Sequence, residues 1–508
     1  MPYRPYLGLA ILFLFLGCKN QTIDQPNIVF ILADDLGYGE LGSFGQELIE
    51  TPNLDALRAE GMAFEQFYAP APVCAPTRAM FLSGLHAGHS YIRSNDEWTE
   101  RGEVWNYAAA SNDPGLEGQR PIPANTPSIA KVLRSANYQT ALIGKWGLGA
   151  PGTEGVPNNQ GFDYFYGYNC QRQAHNLFPP HLWENNNKVI LKNDLVAPGT
   201  KLEENSDPLL QASYERYTQK DYAPSLMQEK ALEFISKRDL DNPFFLYYAS
   251  PLPHVPLQAP ESLVQHYVQK FGDEQPYLGN NGYFPNRYPN ATYAAMITYL
   301  DQQIGELIEL LKKEGIYNNT LIVFTSDNGP TYAGGVDPEY FNSAGKFPNH
   351  YGRTKGFTYE GGIRVPMIAS WPGKIKPNTA SRHISSMIDL FPTFSEIAGI
   401  EVKSGTDGIS LLPTLYGLES QESHEYLYWE FPSYNGQQAV RIGKWKGLRM
   451  NMNDGNRSIE LYDLEKDAAE QHDIAKEHPD VVKRIEEIML KAHLPPLNPK
   501  FNLPIDNN

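Results

Sequence analysis

The chain has 508 residues, 41% of them hydrophobic and 20% charged, and a formal net charge of −17. That balance excludes a disordered chain, and it excludes nucleic acid as a partner, because a phosphate backbone is met by a basic field. The length exceeds one ordinary core and points to two unequal domains, while the acidic excess means that an anionic substrate has to be met by locally placed Lys, Arg and His.

The N-terminus reads as an export signal over residues 1–18, with Arg4, an apolar run from Leu7 to Leu16, and then Gly17-Cys18. The run is too short for a comfortable membrane span. Gly17-Cys18 resembles a bacterial lipoprotein cleavage site with Cys18 as the lipid anchor, although Phe15 and Leu16 depart from that pattern and leave ordinary cleavage open. Residues 19–25 would be a tether, and the protein an exported one, periplasmic or anchored at the outer membrane. If Cys18 carries lipid and Cys74 does chemistry, Cys170 remains alone and no disulfide framework exists.

Asn27 to Ala33 is an unbroken apolar run that ends in Asp34-Asp35, which predicts a buried parallel strand with two carboxylates at its C-terminal end. After the Gly37-Tyr38-Gly39 turn, Thr51 as N-cap, Pro52, and Leu54, Leu57 and Met62 on one apolar face predict a helix closed by Gly61. Cys74-Ala75-Pro76-Thr77-Arg78 opens another, running through Leu82 to Gly84, with the thiol at a helix N-terminus where negative charge is favoured. Thr126-Pro127 predicts a helix through Leu133, and Thr140 to Gly144 a strand that delivers Lys145. Tyr164, Tyr166, Tyr168, Phe178 and Trp183 are aromatics of a site mouth or of the core. Between them lie the polar candidates Arg172, His175 and His181.

Pro243 to Ala249 is a further buried strand, followed by His254 in a proline-stiffened loop. A helix from about Tyr293 to Lys312 leads into the strand Leu321 to Ser326, which ends in Asp327-Asn328-Gly329. Lys355 sits in the glycine-rich stretch from Gly352 to Gly362, where glycines let backbone approach a ligand. A helix from Met387 to Ile397 follows. The alternating stretches Glu425 to Trp429, Ala439 to Arg441, Trp445 to Arg449 and Leu461 to Leu464, closed by an amphipathic helix from Val481 to Leu490, predict a small antiparallel sheet plus helix. The boundaries expected are 26–420 for the large domain and 421–508 for the small one.

Four strands thus end in groups suited to one polar site, and parallel sheets bind ligands outside those ends. Asp34, Asp35, Asp327 and the Asn328 amide form an all-oxygen set with no His or Cys pair of zinc spacing nearby. Hard oxygens from separate loops select calcium or magnesium, and suit calcium's looser coordination best.

Cys74-x-Pro76-x-Arg78 resembles the signature of the type I sulfatases, and the likeness extends over nearly the whole mature chain, including the stretch around Lys355. The resemblance implies an alkaline-phosphatase-like α/β fold, a large mixed sheet flanked by helices, with a smaller C-terminal antiparallel sheet-plus-helix domain. It implies that a maturation enzyme oxidises Cys74 to formylglycine, whose hydrated aldehyde is the nucleophile. Calcium would be held by Asp34, Asp35, Asp327 and Asn328, with residue 74 as a further ligand. In that site Arg78 would hold the ionised hydrate, Lys145 and Lys355 would neutralise sulfonyl oxygens, and His254 would protonate the leaving alcohol.

One departure matters. The family's Gly-Lys-Trp-His-Leu-Gly reads Gly144-Lys145-Trp146-Gly147-Leu148-Gly149 here, so the His thought to accept a proton in the second half-reaction is missing. His175 either replaces it or binds sugar, with Arg172 and His181 as further substrate contacts. The expected substrate is a sulfated glycan. A phosphoesterase or phosphonate hydrolase is the alternative enzyme, and a catalytically silent glycan-binding homologue the alternative if Cys74 stays a thiol.

Overall fold

A computed structural model describes residues 25–402 and 405–506. The export signal, the tether as far as residue 24 and the Cys18 anchor lie outside the described residues. The four apolar runs form strands where the sequence places them: β1 (Asn27–Ala33), β2 (Gln139–Lys145), β3 (Phe244–Ala249) and β4 (Thr320–Ser326). They lie parallel in the order β4, β1, β3, β2, and Tyr164–Tyr168 continues the parallel set beyond β2. Antiparallel strands make the sheet mixed and ten-stranded, with Met367–Ser370 beside β4 and His181–Glu184 beside Tyr164–Tyr168.

Period-two alternation in β1 decides the layers. Val29, Ile31 and Ala33 enter one core, Ile28, Phe30 and Leu32 the other, so both faces are buried and the strand reads as an unbroken apolar run. Helices α1 (Pro52–Glu60), α2 (Cys74–Ser83), α3 (Ala223–Ser236), α4 (Glu261–Phe271), α5 (Pro289–Lys313) and α6 (Leu390–Ile397) supply the covers. α1, α3, α4 and α5 lie on the Val29 side, α2 and α6 on the Phe30 side. α2 stops at Gly84, whose φ of 69° lets its N–H reach the Met80 carbonyl.

The helix ends differ from the sequence reading in three places. Met62 does not lie on the apolar face of α1, because Gly61 ends the helix and Met62 begins the strand Met62–Phe64. Thr51 does not cap α1 either: its Oγ1 accepts from the Gly42 N–H at 2.9 Å, and Asp301 of α5 accepts the Asn53 and Leu54 N–H groups instead. The helix expected from Thr126-Pro127 starts only at Ile129, with Ser128 extended and its hydroxyl donated to the Gln160 carbonyl. For the aromatics, of the two readings left open, the structure shows the core. Tyr166, Tyr168, Phe178 and Trp183 are buried core, and Tyr164 is partly buried against it, stacked on Phe234 of α3. They line no mouth, because Tyr164–Tyr168 is itself a strand of the sheet.

The C-terminal strands Leu427–Phe431, Gln437–Ile442, Trp445–Arg449 and Glu460–Asp463 pair antiparallel in chain order. One face carries Tyr428, Val440 and Leu461 against Ile485 and Met489 of α7 (Pro479–Ala492). The other sets Trp429, Ala439 and Leu448 against Tyr68 and Ile363 of the large domain. At that junction the Lys446 ammonium lies 2.9 Å from Glu360 and 2.8 Å from Glu470, fully buried among them.

Candidate active site

Parallel pairing of β4, β1, β3 and β2 puts their C-terminal ends along one edge of the sheet, where Asp327-Asn328, Asp34-Asp35, the His254 loop and Lys145 come together. α2 brings Cys74 to the same edge. Its thiol donates to Asp34 Oδ1 at 3.3 Å and lies 4.0 Å from Asp35 Oδ1. The Asn95 side chain accepts the Ala75 N–H at 3.2 Å and pins the start of the helix. Lys145 Nζ reaches Asp34 Oδ2 at 2.5 Å, and Lys355 Nζ reaches Asp35 Oδ2 at 2.6 Å. Arg78 donates through Nη2 and Nε to Asp327 Oδ2 at 2.9 and 3.2 Å, and through Nη1 to the Lys145 carbonyl at 2.7 Å. Asp35 takes a φ of 67°, and its N–H donates to Asp327 Oδ1 at 3.1 Å. The residues assigned from sequence to catalysis and metal therefore form one cluster.

Burial and charge set the protonation of this cluster. Burial opposes ionisation of Asp34, yet Lys145, backed by His254, Arg78 and Lys355, holds its carboxyl well below the usual range. Burial raises Asp35, and burial with the neighbouring Asp34 pushes Asp327 up to about 7 despite Arg78. Three buried carboxylates resist full ionisation together unless more positive charge arrives. Burial, reinforced by Asp34, also drives the Cys74 thiol well above its ordinary value. As a thiol the residue is protonated and a poor nucleophile.

The donor set fits a divalent cation. Asn328 Oδ1 is buried without a hydrogen-bond partner among the described residues, although its Nδ2 donates to Asp35 Oδ1 at 2.8 Å. One ligand atom each of Asp34, Asp35, Cys74 and His254 all fall within 4.8 Å of one another. Carboxylates plus an idle amide oxygen are the chemistry of a hard metal ion.

His254 Nδ1 bonds the Val255 carbonyl at 2.5 Å, an acceptor only, so that nitrogen carries the proton and Nε2 faces Asp35 Oδ2 at 3.6 Å. Burial, with Lys355 and Lys145, holds its pKa well below 6.5, so the free site contains a neutral imidazole rather than a ready acid. His175 ends the short helix Gln171–His175 and stacks on His254 at 5.3 Å with the ring planes 10° apart. Tyr283 meets both rings edge-on, a contact with no signal in the sequence.

The remaining two candidates stand apart from the charge cluster. Arg172 donates to the Val104 carbonyl at 2.7 Å and lies over the Trp105 ring. His181 is a correction: it is buried in the strand His181–Glu184, where its Nε2 bonds Glu117 at 2.9 Å rather than facing the charge cluster. Gly147 turns with φ 86°, and the space a side chain would enter is bounded by Gln171, whose Oε1 would lie 3.2 Å from a Cβ. That Gln171 oxygen is buried with no partner among the described residues.

Comparison with known proteins agrees with this geometry. The family profile described as Sulfatase matches residues 26–400, and the one described as N-sulphoglucosamine sulphohydrolase, C-terminal, matches residues 349–494. Human arylsulfatase A is 31% identical over 95% of this chain and 91% of its own. Human N-acetylgalactosamine-6-sulfatase is 32% identical over 77% of this chain and 66% of its own. The solved structure of Ps i-CgsB in complex with k-i-k-neocarrahexaose superposes with a TM-score of 0.72 at 28% identity, covering 92% of both chains. A profile spanning most of the chain, set on an edge where thiol, carboxylates and ammonium groups meet, leads to one conclusion: the chain belongs to the type I sulfatase family of the alkaline-phosphatase-like superfamily and is a sulfuric ester hydrolase.

Proposed function

We propose that the enzyme removes sulfate from a sulfated carbohydrate outside the cytoplasm, with residue 74 in its formylglycine form and calcium held by Asp34, Asp35, Asp327 and Asn328. The observation that carries this reading is the setting of Cys74, 3.3 Å from Asp34, with Lys145 and Lys355 on the carboxylate oxygens beside it. A formylglycine supplies a hydrated aldehyde oxygen as nucleophile, and calcium supplies positive charge that lowers that oxygen's proton affinity. The carbohydrate is supported by the names of the relatives, one a sulfatase of N-acetylgalactosamine and one solved with a carrageenan hexasaccharide. The export signal read in residues 1–18 supports the location.

The chain's own residues then have separable tasks. Lys145 and Lys355 offset negative charge on the sulfonyl oxygens as the ester bond breaks. Arg78, fixed by Asp327 and the Lys145 carbonyl, holds its charge beside residue 74 without moving. An anionic ester brings the negative charge that lets His254 Nε2 take up a proton and pass it to the leaving alcohol. His175, whose ring stacks on His254 and is kept neutral there by burial and by that neighbour, would be the proton acceptor in place of the His that Gly147 lacks.

Asp327→Ala tests the metal. The variant should lose both bound calcium, read by elemental analysis, and nearly all sulfate release. A native enzyme that instead held stoichiometric zinc and required it for turnover would favour the phosphoesterase reading.

A further inference from the structure

We infer that Tyr332, Tyr351, Phe357 and Tyr434 form a platform for an uncharged sugar ring next to the sulfated one, so that the preferred substrate is a sulfate ester within an oligosaccharide. The inference rests on the proposed function and adds a binding site to it. Tyr351 is 64% exposed and Tyr434 43%, while Tyr332 and Phe357 beside them are partly buried. The four rings form a continuous edge-to-face series: Tyr332 to Tyr351 at 4.8 Å, Tyr351 to Phe357 at 5.3 Å and Phe357 to Tyr434 at 5.5 Å, with interplanar angles of 89°, 83° and 82°. Such contacts hold rings in fixed orientation. A contiguous set of partly exposed aromatic rings at the border of a catalytic site is suited to binding a ligand's apolar face.

The series is continuous with the catalytic cluster. Tyr332 follows Asn328 by four residues, and the Pro330 carbonyl between them accepts the Lys355 N–H at 3.2 Å. Lys355 and Phe357 share one loop, whose Gly356 N–H donates to the Pro72 carbonyl at 2.9 Å, two residues before Cys74. The Tyr434 ring lies against Gly356, where a Cβ would approach it to 2.7 Å. Tyr434 comes from the C-terminal domain, in the turn between Leu427–Phe431 and Gln437–Ile442, and the neighbouring Ser433 hydroxyl bonds Ser94 at 2.6 Å. Ser94 adjoins Asn95, the residue that pins the start of α2. The platform therefore borders the loops that position Asn328, Lys355 and Cys74.

Chemistry selects the occupant. Aromatic faces suit the C–H face of a pyranose, and a tyrosine hydroxyl can both donate to and accept from a sugar hydroxyl. The four side chains carry no fixed charge, so an unsulfated ring fits better than a sulfated one. They are too few for a protein partner, which needs about 800 Å² on each side.

The test compares kcat/KM for sulfated hexasaccharides in which the ring next to the sulfated one carries neither sulfate nor carboxylate, those of carrageenan with unsulfated alternate rings, with kcat/KM for the matching sulfated monosaccharides. Wild type should prefer a hexasaccharide by about tenfold or more. Tyr351→Ala, at the most exposed position, and Tyr351→Ala with Tyr434→Ala should lower that ratio through KM, while Tyr351→Trp with Tyr434→Phe should keep it. An unchanged ratio in a double variant of wild-type thermal midpoint overturns the platform. So does a wild type that ignores chain length or cleaves an aryl sulfate but no glycan. If wild type cleaves no sulfate ester at all, the proposed function falls separately. Calorimetric titration of the same hexasaccharides then decides: binding weakened about tenfold in Tyr351→Ala supports the platform, and equal or absent binding refutes it.

Discussion

His175 and His254 stack ring on ring beside the Asp35 carboxylate, and the proposed mechanism divides the proton work between the two rings. His254 has its Nδ1 committed to Val255, so only Nε2 is available for exchange with substrate. His175 has no such commitment and stands at the partly open side. His175→Ala should therefore release about one equivalent of alcohol in a burst and then turn over at a small fraction of the wild-type rate, since the first step keeps its acid and the second loses its acceptor. Wild-type steady-state rates on both an aryl sulfate and a sugar sulfate would remove His175 from catalysis. Asp34, Asp35, Lys145 and Asp327 were legible in sequence because each stands at the end of an apolar run, so a strand end could be named without knowing the fold, whereas Arg78 and Lys355 were reached through the family resemblance. His181 misled for the opposite reason. A His beside two prolines looks like a loop ligand, and only the pairing of its strand with Tyr164–Tyr168 reveals that the ring is buried on Glu117. Gln171 gave no signal at all, since an idle buried amide is defined by what surrounds it.

The elements were legible where pattern is local and less so where a partner from elsewhere in the chain decides. All four central strands fall within a residue or so of their apolar runs, because burial on both faces leaves no polar interruption. The start of α1 was placed correctly, but its cap was not, because the capping carboxylate belongs to α5, about 250 residues away. Asp301 accepts the Leu54 N–H at 2.7 Å and the Asn53 amide at 2.8 Å, and burial pushes its pKa up to about 6 despite those bonds. A carboxyl raised in the folded state binds its proton more tightly there than in the unfolded chain. Its contribution to stability is thus full below pH about 4 and declines as pH rises towards 6. Asp301→Ala should cost about 1–3 kcal/mol by leaving two N–H groups unpaired, with a larger drop in thermal midpoint at pH 4 than at pH 7. Equal drops at both pH values would mean that Asp301 does not titrate in this range.

At the scale of the whole molecule, the large domain builds the charge cluster and the small domain completes its border. Lys446, buried between Glu360 and Glu470, ties the small sheet to the helix turn that follows the Lys355 loop, and Tyr434 reaches over that loop from the same sheet. The existence of the second domain was legible from its short alternating strands and amphipathic closing helix. Its approach to the site was not, since nothing local in Ser433 or Tyr434 announces a neighbour more than 300 residues earlier in the chain. The net charge of −17 makes this convergence of Lys145, Lys355 and Arg78 necessary, because an anionic ester finds no general attraction on the molecule. All of these groups surround a thiol that burial and Asp34 keep protonated, and the account stands on that thiol being replaced. Mass spectrometry of the peptide containing residue 74, from protein made in its native host, is the most direct measurement. The account predicts the mass of formylglycine in place of cysteine; an unmodified Cys74 in enzyme that still releases sulfate would contradict it.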